Sequence, residues 1–205
     1  VKVKNLSDVK KISIGSYYNL ALKNDGSVWM WGAHPYVMKT PLKIPTQVDG
    51  LQDIIDICAG DYYAVALKGD GTVWAWGANE NGQLGTVIES KTFTPTQVRG
   101  MTDVKAISAG GYHTMALRSD GTVWAWGKNE NGLLGNGTNQ DSNIPVKVRD
   151  LTDVIDIDSN YNESFALKKD GTVWCWGSKY GNIPVQISGL NNVKELTAGN
   201  SHCAI

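Results

Sequence analysis

Little in this 205-residue chain points to catalysis, and its absences narrow the field. There are three cysteines, Cys58, Cys175 and Cys203, spaced too widely for a C-x-x-C pair, so neither a disulfide framework nor a zinc site is written here. Lysine and arginine number 19 against 20 aspartates and glutamates, for a formal charge of -1, so there is no basic excess to neutralise a phosphate backbone. Nucleic acid is therefore a poor expectation. No apolar run reaches the roughly 18 residues of a membrane span, so no membrane insertion is expected, and VKVKNLSDVK lacks the apolar core of a signal peptide. No window longer than ten residues carries a clear helical period.

What the chain does have is a rhythm. Its eight tryptophans fall in pairs, Trp29 and Trp31, Trp74 and Trp76, Trp124 and Trp126, Trp174 and Trp176, at spacings of 45, 50 and 50 residues. Each pair closes a similar segment: DVKKISIGSYYNLALKNDG, DIIDICAGDYYAVALKGDG, DVKAISAGGYHTMALRSDG and DVIDIDSNYNESFALKKDG. A fifth copy begins as NVKELTAGNSHCAI. The units are expected near 8–52, 53–102, 103–152 and 153–191, with a partial unit at 192–205 and an outer strand of a preceding blade at 1–7, all in one repeat domain.

The third unit reads most clearly. Val104 to Ser108 and Thr114 to Arg118 are short apolar-rich runs, and Asp120-Gly121 leads into Thr122 to Trp126. Asp-Gly between two β-prone runs signals a hairpin, because the turn needs a positive φ that glycine tolerates. In the strand that follows, Val123 and Ala125 face one way, Trp124 and Trp126 the other. Both faces are apolar and both must be covered. Pro145 to Val148 is expected to form a fourth, outer strand with proline at its start. Four-stranded units apolar on both faces must stack on copies of themselves, and radial stacking gives a β-propeller. The fold class is thus all-β, with each tryptophan pair expected to pack blade on blade and the small residues between them (Ala75, Ala125 and Cys175, with Met30 the bulky exception) leaving room.

The pattern A-G-x-x-H-x-x-A-L-x-x-D-G-x-V-x-x-W-G-x-N-x-x-G-Q-L-G, clearest at Ala109 to Gly135 and nearly as close at Ala59 to Gly85, resembles the regulator of chromosome condensation repeat. That resemblance implies a ring of seven blades, of which this chain holds four full units and part of a fifth. The final unit lacks a tryptophan-bearing strand, so self-closure is not expected and the exposed edges invite self-association. The first and fourth units, with AHPYVMKTPLKIPTQV and GSKYGNIPVQI after the tryptophans, lack the N-x-x-G-Q-L-G segment. In the fourth, Ser159-Asn160 replaces Ala-Gly.

Chemistry is hard to find. His34, His113 and His202 lie in different units without metal-ligand spacing. His113 and His202 share a repeat slot with Tyr18, Tyr63 and Glu163, and a slot that accepts His, Tyr and Glu is not catalytic. Asn129 to Gly132 has one carboxylate and reads as a turn, not a calcium loop. Asp25, Asp70, Asp120 and Asp170 recur once per unit, as hairpin turns do. No catalytic residue, metal or cofactor is expected.

What remains is a surface. The loops after each first strand carry Tyr17 and Tyr18, Asp61, Tyr62 and Tyr63, Tyr112 and His113, Tyr161 and Glu163, and His202. Tyrosine-bearing loops on a rigid scaffold are a common way to build a binding face, since tyrosine gives large contact area for little rotamer entropy. The expectation is a non-enzymatic propeller that docks a protein partner through these loops, the competing role for the same tyrosines being to cap blade edges internally. The resemblance offers two precedents: secreted bacterial propellers that inhibit β-lactamase through such a face, and a founding member that exchanges guanine nucleotide on a small GTPase at chromatin. The short D-G-T-V-W-A-W-G units are more similar to the bacterial arrays, which favours an exported location, while a purely structural module of a larger surface protein is a further alternative.

Overall fold

The computed structural model describes residues 3–4, 6–33, 36, 39–87, 90–199 and the backbone of 203–204. Strands account for its regular structure, and no described residue is helical. Four antiparallel sheets follow one another, each with its strands in chain order. The first holds β1 (Val9–Gly15), β2 (Tyr18–Lys23), β3 (Val28–Gly32) and β4 (Leu42–Gln47). The second holds β5 (Ile54–Ala59), β6 (Tyr63–Lys68), β7 (Val73–Ala78) and β8 (Lys91–Gln97). The third runs β9 (Val104–Ala109), β10 (His113–Arg118), β11 (Val123–Gly127), β12 (Ser142–Lys147). The fourth runs β13 (Val154–Ser159), β14 (Glu163–Lys168), β15 (Val173–Gly177), β16 (Gly181–Gln186), and a two-stranded sheet of β17 (Thr197–Ala198) and β18 (Cys203–Ala204) starts a fifth. These are propeller blades: the first strands β1, β5, β9 and β13 are consecutive neighbours, and each blade's second strand packs on the next blade's first.

The hairpins form as the Asp-Gly signal implies. Asp120 Oδ1 accepts from Thr122 N at 2.9 Å and from Thr122 Oγ1 at 2.7 Å, while Gly121 takes φ +80° and its N–H meets Arg118 O at 3.0 Å. Only the glycine needs the left-handed region, so the loop spans three residues and the aspartate acts through its side chain. The same carboxylate-to-hydroxyl bond recurs at Asp25, Asp70 and Asp170 and holds those carboxyls, like that of Asp120, below their usual range.

One expectation is corrected. The outer strand β12 begins at Ser142, so Pro145 sits inside it; an edge strand has one side without ladder bonds, and a missing N–H costs nothing there. The described residues among 1–7, namely 3, 4, 6 and 7, lie outside strands.

The tryptophan pairs divide the labour. Trp76, Trp126 and Trp176 are fully buried, and each sits in the hydrophobic cluster of the blade before its own. Trp126, for example, packs with Val65, Leu67, Val73 and Ala75 of the second blade. Burying about 200 Å² of indole at about 25 cal/mol per Å² gives on the order of 5 kcal/mol per junction. The first tryptophan of each pair is only half-buried and caps the rim: Trp124 Nε1 donates to Thr122 Oγ1 at 3.3 Å, and the Arg118 guanidinium lies 4.7 Å over its ring. Ala75 and Ala125 lie beneath the next blade's tryptophan, as expected, and Met30 lies beneath Trp76. The first blade's own outward face has no such cover. Ile12 is 56% exposed and Trp31 is half-buried, whereas Ile57, Ile107 and Ile157, the equivalents of Ile12, are buried against a preceding blade.

Candidate functional site

The loop between a blade's first and second strands places two successive side chains on opposite sides, because the second already belongs to the strand. The inner member turns into the sheet stack. Tyr18 and Tyr63 are buried, and their hydroxyls cross to the next blade: Tyr18 donates to Gly60 O at 2.9 Å and also meets Tyr63 O, and Tyr63 meets His113 O. His113, fully buried in the same slot, bonds Ser164 Oγ through Nε2 at 2.9 Å. Burial raises both tyrosine phenols and drops the His113 imidazole to about 4. Tyr18, Tyr63 and His113 were expected at a partner surface; strand alternation makes them interblade clasps. Glu163 is nearly buried as well, accepting from Asn160 Nδ2 at 3.0 Å with Lys179 Nζ 3.7 Å away. Asp61 is half-buried and accepts from Ser16 Oγ at 3.2 Å. His34 and His202 lie outside the described residues.

The outer members do reach the surface, and three of them meet. Tyr62 stacks on Tyr112 with ring centroids 5.3 Å apart and 20° between planes, and Tyr112 meets Tyr161 edge-on at 5.5 Å. Partial burial, then side-chain hydrogen bonds with Tyr161 and Tyr62, push the Tyr112 phenol well above its ordinary value. Tyr36 extends the row at the other end, 5.9 Å from Tyr62 and edge-on. Lysines flank it: Lys91 Nζ is 5.2 Å over Tyr36, and Lys128 Nζ is 5.6 Å over Tyr112 while paired to Glu130. Tyr17 is not part of the row; it is 84% exposed with φ +66°.

Tyr36 escaped the sequence pattern because it lies in the segment AHPYVMKT, where the first unit departs from its siblings. Such a departure was itself the available signal. Next to the row a cleft of about 330 Å³ opens between Tyr36, Tyr62 and Tyr112, with Ala78, Glu80, Asn81 and Gln83 completing its wall.

On the channel side, one inner-strand position per blade links to the next blade. Ser13 Oγ accepts from Ala59 N at 2.9 Å, Cys58 Sγ donates to Ile107 O at 3.2 Å, and Ser108 Oγ donates to Asp158 Oδ1 at 3.0 Å. Asp158 Oδ2 in turn accepts from Ala198 N at 2.7 Å, and Lys11 pairs with Asp56. Loss of water pushes the Cys58 thiol up to about 12, which makes it a structural group and not a nucleophile. Among the described residues no cluster of His, Cys, Asp and Glu could hold a metal, and no helix is long and apolar enough to cross a membrane.

Blades of four antiparallel strands, bound tryptophan to sheet and clasp to carbonyl, define a repeat β-propeller. Two family models, each described as the regulator of chromosome condensation (RCC1) repeat, match residues 70–117 and 120–167 and residues 9–36, 54–83 and 104–133, and the chain belongs to that family. Among solved structures it is similar to Prp20p of Saccharomyces cerevisiae, with a TM-score of 0.80 at 20% identity over 92% of this chain and 53% of that one. Human WBSCR16 is similar to the same degree, with a TM-score of 0.80 at 21% identity over 92% of this chain and 55% of that one. The receptor kinase CR4 ectodomain of Physcomitrella patens is more distant, with a TM-score of 0.52 at 21% identity over 82% and 42%. The chain thus spans about half the length of the structures it matches. No curated sequence matches it.

Proposed function

We propose that this chain is a non-enzymatic protein-binding propeller whose docking surface is the tyrosine row Tyr36, Tyr62, Tyr112 and Tyr161. One observation carries the reading: four tyrosines from successive blades touch ring to ring on one face, although none of these contacts is needed to close a blade junction. The junctions are already closed by Trp76, Trp126 and Trp176 and by the buried slot residues. Rings already packed on one another have little freedom left to lose when a partner arrives, so little entropy is lost on binding. The partners of similar proteins support a protein as the ligand: Prp20p binds Gsp1p and histones, and yeast RCC1 is bound by Kap60.

The test uses the triple variant Tyr62→Ala, Tyr112→Ala, Tyr161→Ala as bait beside the parent protein, with captured proteins identified by mass spectrometry. A partner held by the parent and lost by the variant, at unchanged thermal stability, is the expected outcome. Equal capture by both removes this face from consideration. Guanine nucleotide exchange is separated by the same proteins: nucleotide release from a GTPase accelerated equally by parent and variant would put activity elsewhere on the propeller.

A further inference from the structure

Gln83 sits at the edge of the tyrosine cleft in an unusual state. Its main chain is anchored: Gln83 O accepts from Trp126 Nε1 at 3.0 Å and from Thr114 Oγ1 at 2.8 Å. Its side chain is fixed as well, since Oε1 accepts from Asn81 N at 3.0 Å. A backbone N–H can be met only by the amide oxygen, so the orientation of the carboxamide is settled by geometry. That leaves Nε2, with two N–H groups, buried and without an acceptor among the described residues. An unmet buried donor is costly, and native structures keep few of them.

The third blade shows that the fold does not require this amide. Leu133 occupies the equivalent position, and its carbonyl makes the same anchors, to Trp176 Nε1 at 2.8 Å and Ser164 Oγ at 2.9 Å. A leucine therefore closes a blade junction as well as a glutamine does. What differs is the cleft: only Gln83 brings a free donor to a space of about 330 Å³ walled by three tyrosine rings.

We infer that this cleft is a recognition pocket for one aromatic residue of a partner polypeptide, whose ring lies among Tyr36, Tyr62 and Tyr112 and whose main-chain carbonyl accepts from Gln83 Nε2. The walls supply ring faces and edges, which favour an aromatic guest in offset or edge-on geometry. The donor supplies the selectivity, because it is satisfied only by an oxygen acceptor beside the ring. A cationic guest fits less well: Lys91 and Lys128 already lie over the faces of Tyr36 and Tyr112. The amide lies just beneath the cleft surface, so a small swing of a tyrosine ring accompanies entry. This inference rests on the reading of the tyrosine face as a docking surface and narrows it to one residue of the partner.

The probe is N-acetyl-L-phenylalanine amide, titrated into ¹⁵N-labelled protein and followed by NMR. Two comparison molecules divide its features: 2-phenylethylammonium has the ring without an acceptor, and N-acetylglycine amide has the acceptors without the ring. Saturable shifts of the Gln83 side-chain NH₂ signals with the phenylalanine amide are expected, with weaker binding of both comparison molecules. Gln83→Leu should weaken the phenylalanine amide roughly three- to tenfold, the loss of one hydrogen bond, while leaving 2-phenylethylammonium unchanged. Leu133 shows that the repeat accepts leucine here, and Gln83→Met gives the same test should that variant not fold.

The inference is overturned if the variant binds the amide as tightly as the parent, or if the Gln83 NH₂ signals stay put at saturation because an ordered water satisfies them. It is overturned also if 2-phenylethylammonium binds more tightly than the amide. The wider reading fails separately: a partner lost on changing Tyr112 and Tyr161 yet held fully by Gln83→Leu keeps the face and ends the pocket.

Discussion

Where the second blade meets the third, the N-x-x-G-Q-L-G segment folds over the incoming tryptophan. Asn79 Oδ1 accepts from Leu84 N at 2.8 Å to shape the loop, Leu84 is buried, and Gln83 O receives the Trp126 indole N–H. The junction between the third and fourth blades repeats this with Asn129, Leu134 and Leu133 O. Where the first blade meets the second, that segment is missing from the sequence. Trp76 is as deeply buried as its counterparts, yet its Nε1 has no acceptor among the described residues. A cavity of about 280 Å³ remains between these two blades, lined by Met30, Leu42 and Val48 of one and Phe93, Thr94 and Pro95 of the next. The segment, a wedge over the indole, thus does two things, filling volume beyond the ring and supplying a carbonyl to its N–H.

The largest expected difference between these junctions comes from removing the tryptophan itself. Trp126→Ala should cost about 3–5 kcal/mol, as buried aromatic-to-alanine changes do. Trp76→Ala should cost about 1 kcal/mol less, since it breaks no indole hydrogen bond. Urea unfolding followed by circular dichroism reads both. Equal losses, or a larger loss at Trp76, would mean that the missing segment carries no energy.

Acid separates the junctions in another way. The slot that clasps each blade to the next holds Tyr18, Tyr63 and then His113, and of these only the last has an ordinary pKa near neutrality. Burial sets the folded pKa of His113 to about 4, below the ordinary value of 6.5, and its Nδ1 has no partner among the described residues. The unfolded chain therefore binds a proton first as pH falls. Stability from this residue is complete above pH 6.5 and is lost between there and about pH 4, on the order of 3 kcal/mol in all. Unfolding midpoints at pH 7 and pH 5 should differ for the parent and converge in His113→Tyr, which installs the clasp of the second blade. An unchanged pH dependence in that variant would assign the acid sensitivity to other groups; half-buried Asp156 is not one of them, because burial raises its carboxyl and so favours the folded state in acid.

Glycine in the wedge gives a third contrast. Gly85 has φ +64°, and a Cβ there would lie 2.8 Å from Trp126 Nε1 and 2.8 Å from Val98 Cγ1. Backbone strain and overlap together predict a loss of about 2 kcal/mol for Gly85→Ala. Gly50, with φ +81° and open space around it, should lose about 1 kcal/mol from strain alone on the same change. Thermal midpoints rank the two, and the reverse ranking would mean that the wedge yields more easily than the turn.

Much of this architecture was legible because it is periodic. The tryptophan spacing gave the blades, the Asp-Gly pairs their hairpins, and the two-residue alternation the common face of each pair. The unequal fates of the two tryptophans were not legible, because period two says which face a side chain takes and not how far along the blade it lies. The tyrosine loops misled for a related reason. Tyr17-Tyr18 and Tyr62-Tyr63 look like equal partners in the sequence, but the second residue of each is the first of a strand and turns inward, so half of the expected surface became clasp. Tyr36 and Gln83 were missed for opposite reasons: one sits where the repeat breaks, which was itself a signal, the other where it is most regular.

The smallest contrast lies at the rim. Arg118 stretches over Trp124 and donates through Nη2 to Gly100 O at 2.5 Å, closing the gap between the ring and the turn that enters the third blade. At the equivalent place in the second blade stands Lys68, and a cavity of about 190 Å³ persists between Trp74, Ile54 and the turn from Gly50 to Gln52. An ammonium cannot lie flat on an indole and reach a carbonyl at once, whereas a guanidinium presents a plane for the ring and donors at its edge. Lys68→Arg should therefore fill part of that space and gain about 0.5 kcal/mol, the scale of an exposed cation–π contact. Arg118→Lys should lose a similar amount and open a matching cavity beside Trp124. Both changes keep the charge, so a shift in unfolding midpoint that survives high salt would report shape and hydrogen bonding, and one that vanishes with salt would report only a change in electrostatics.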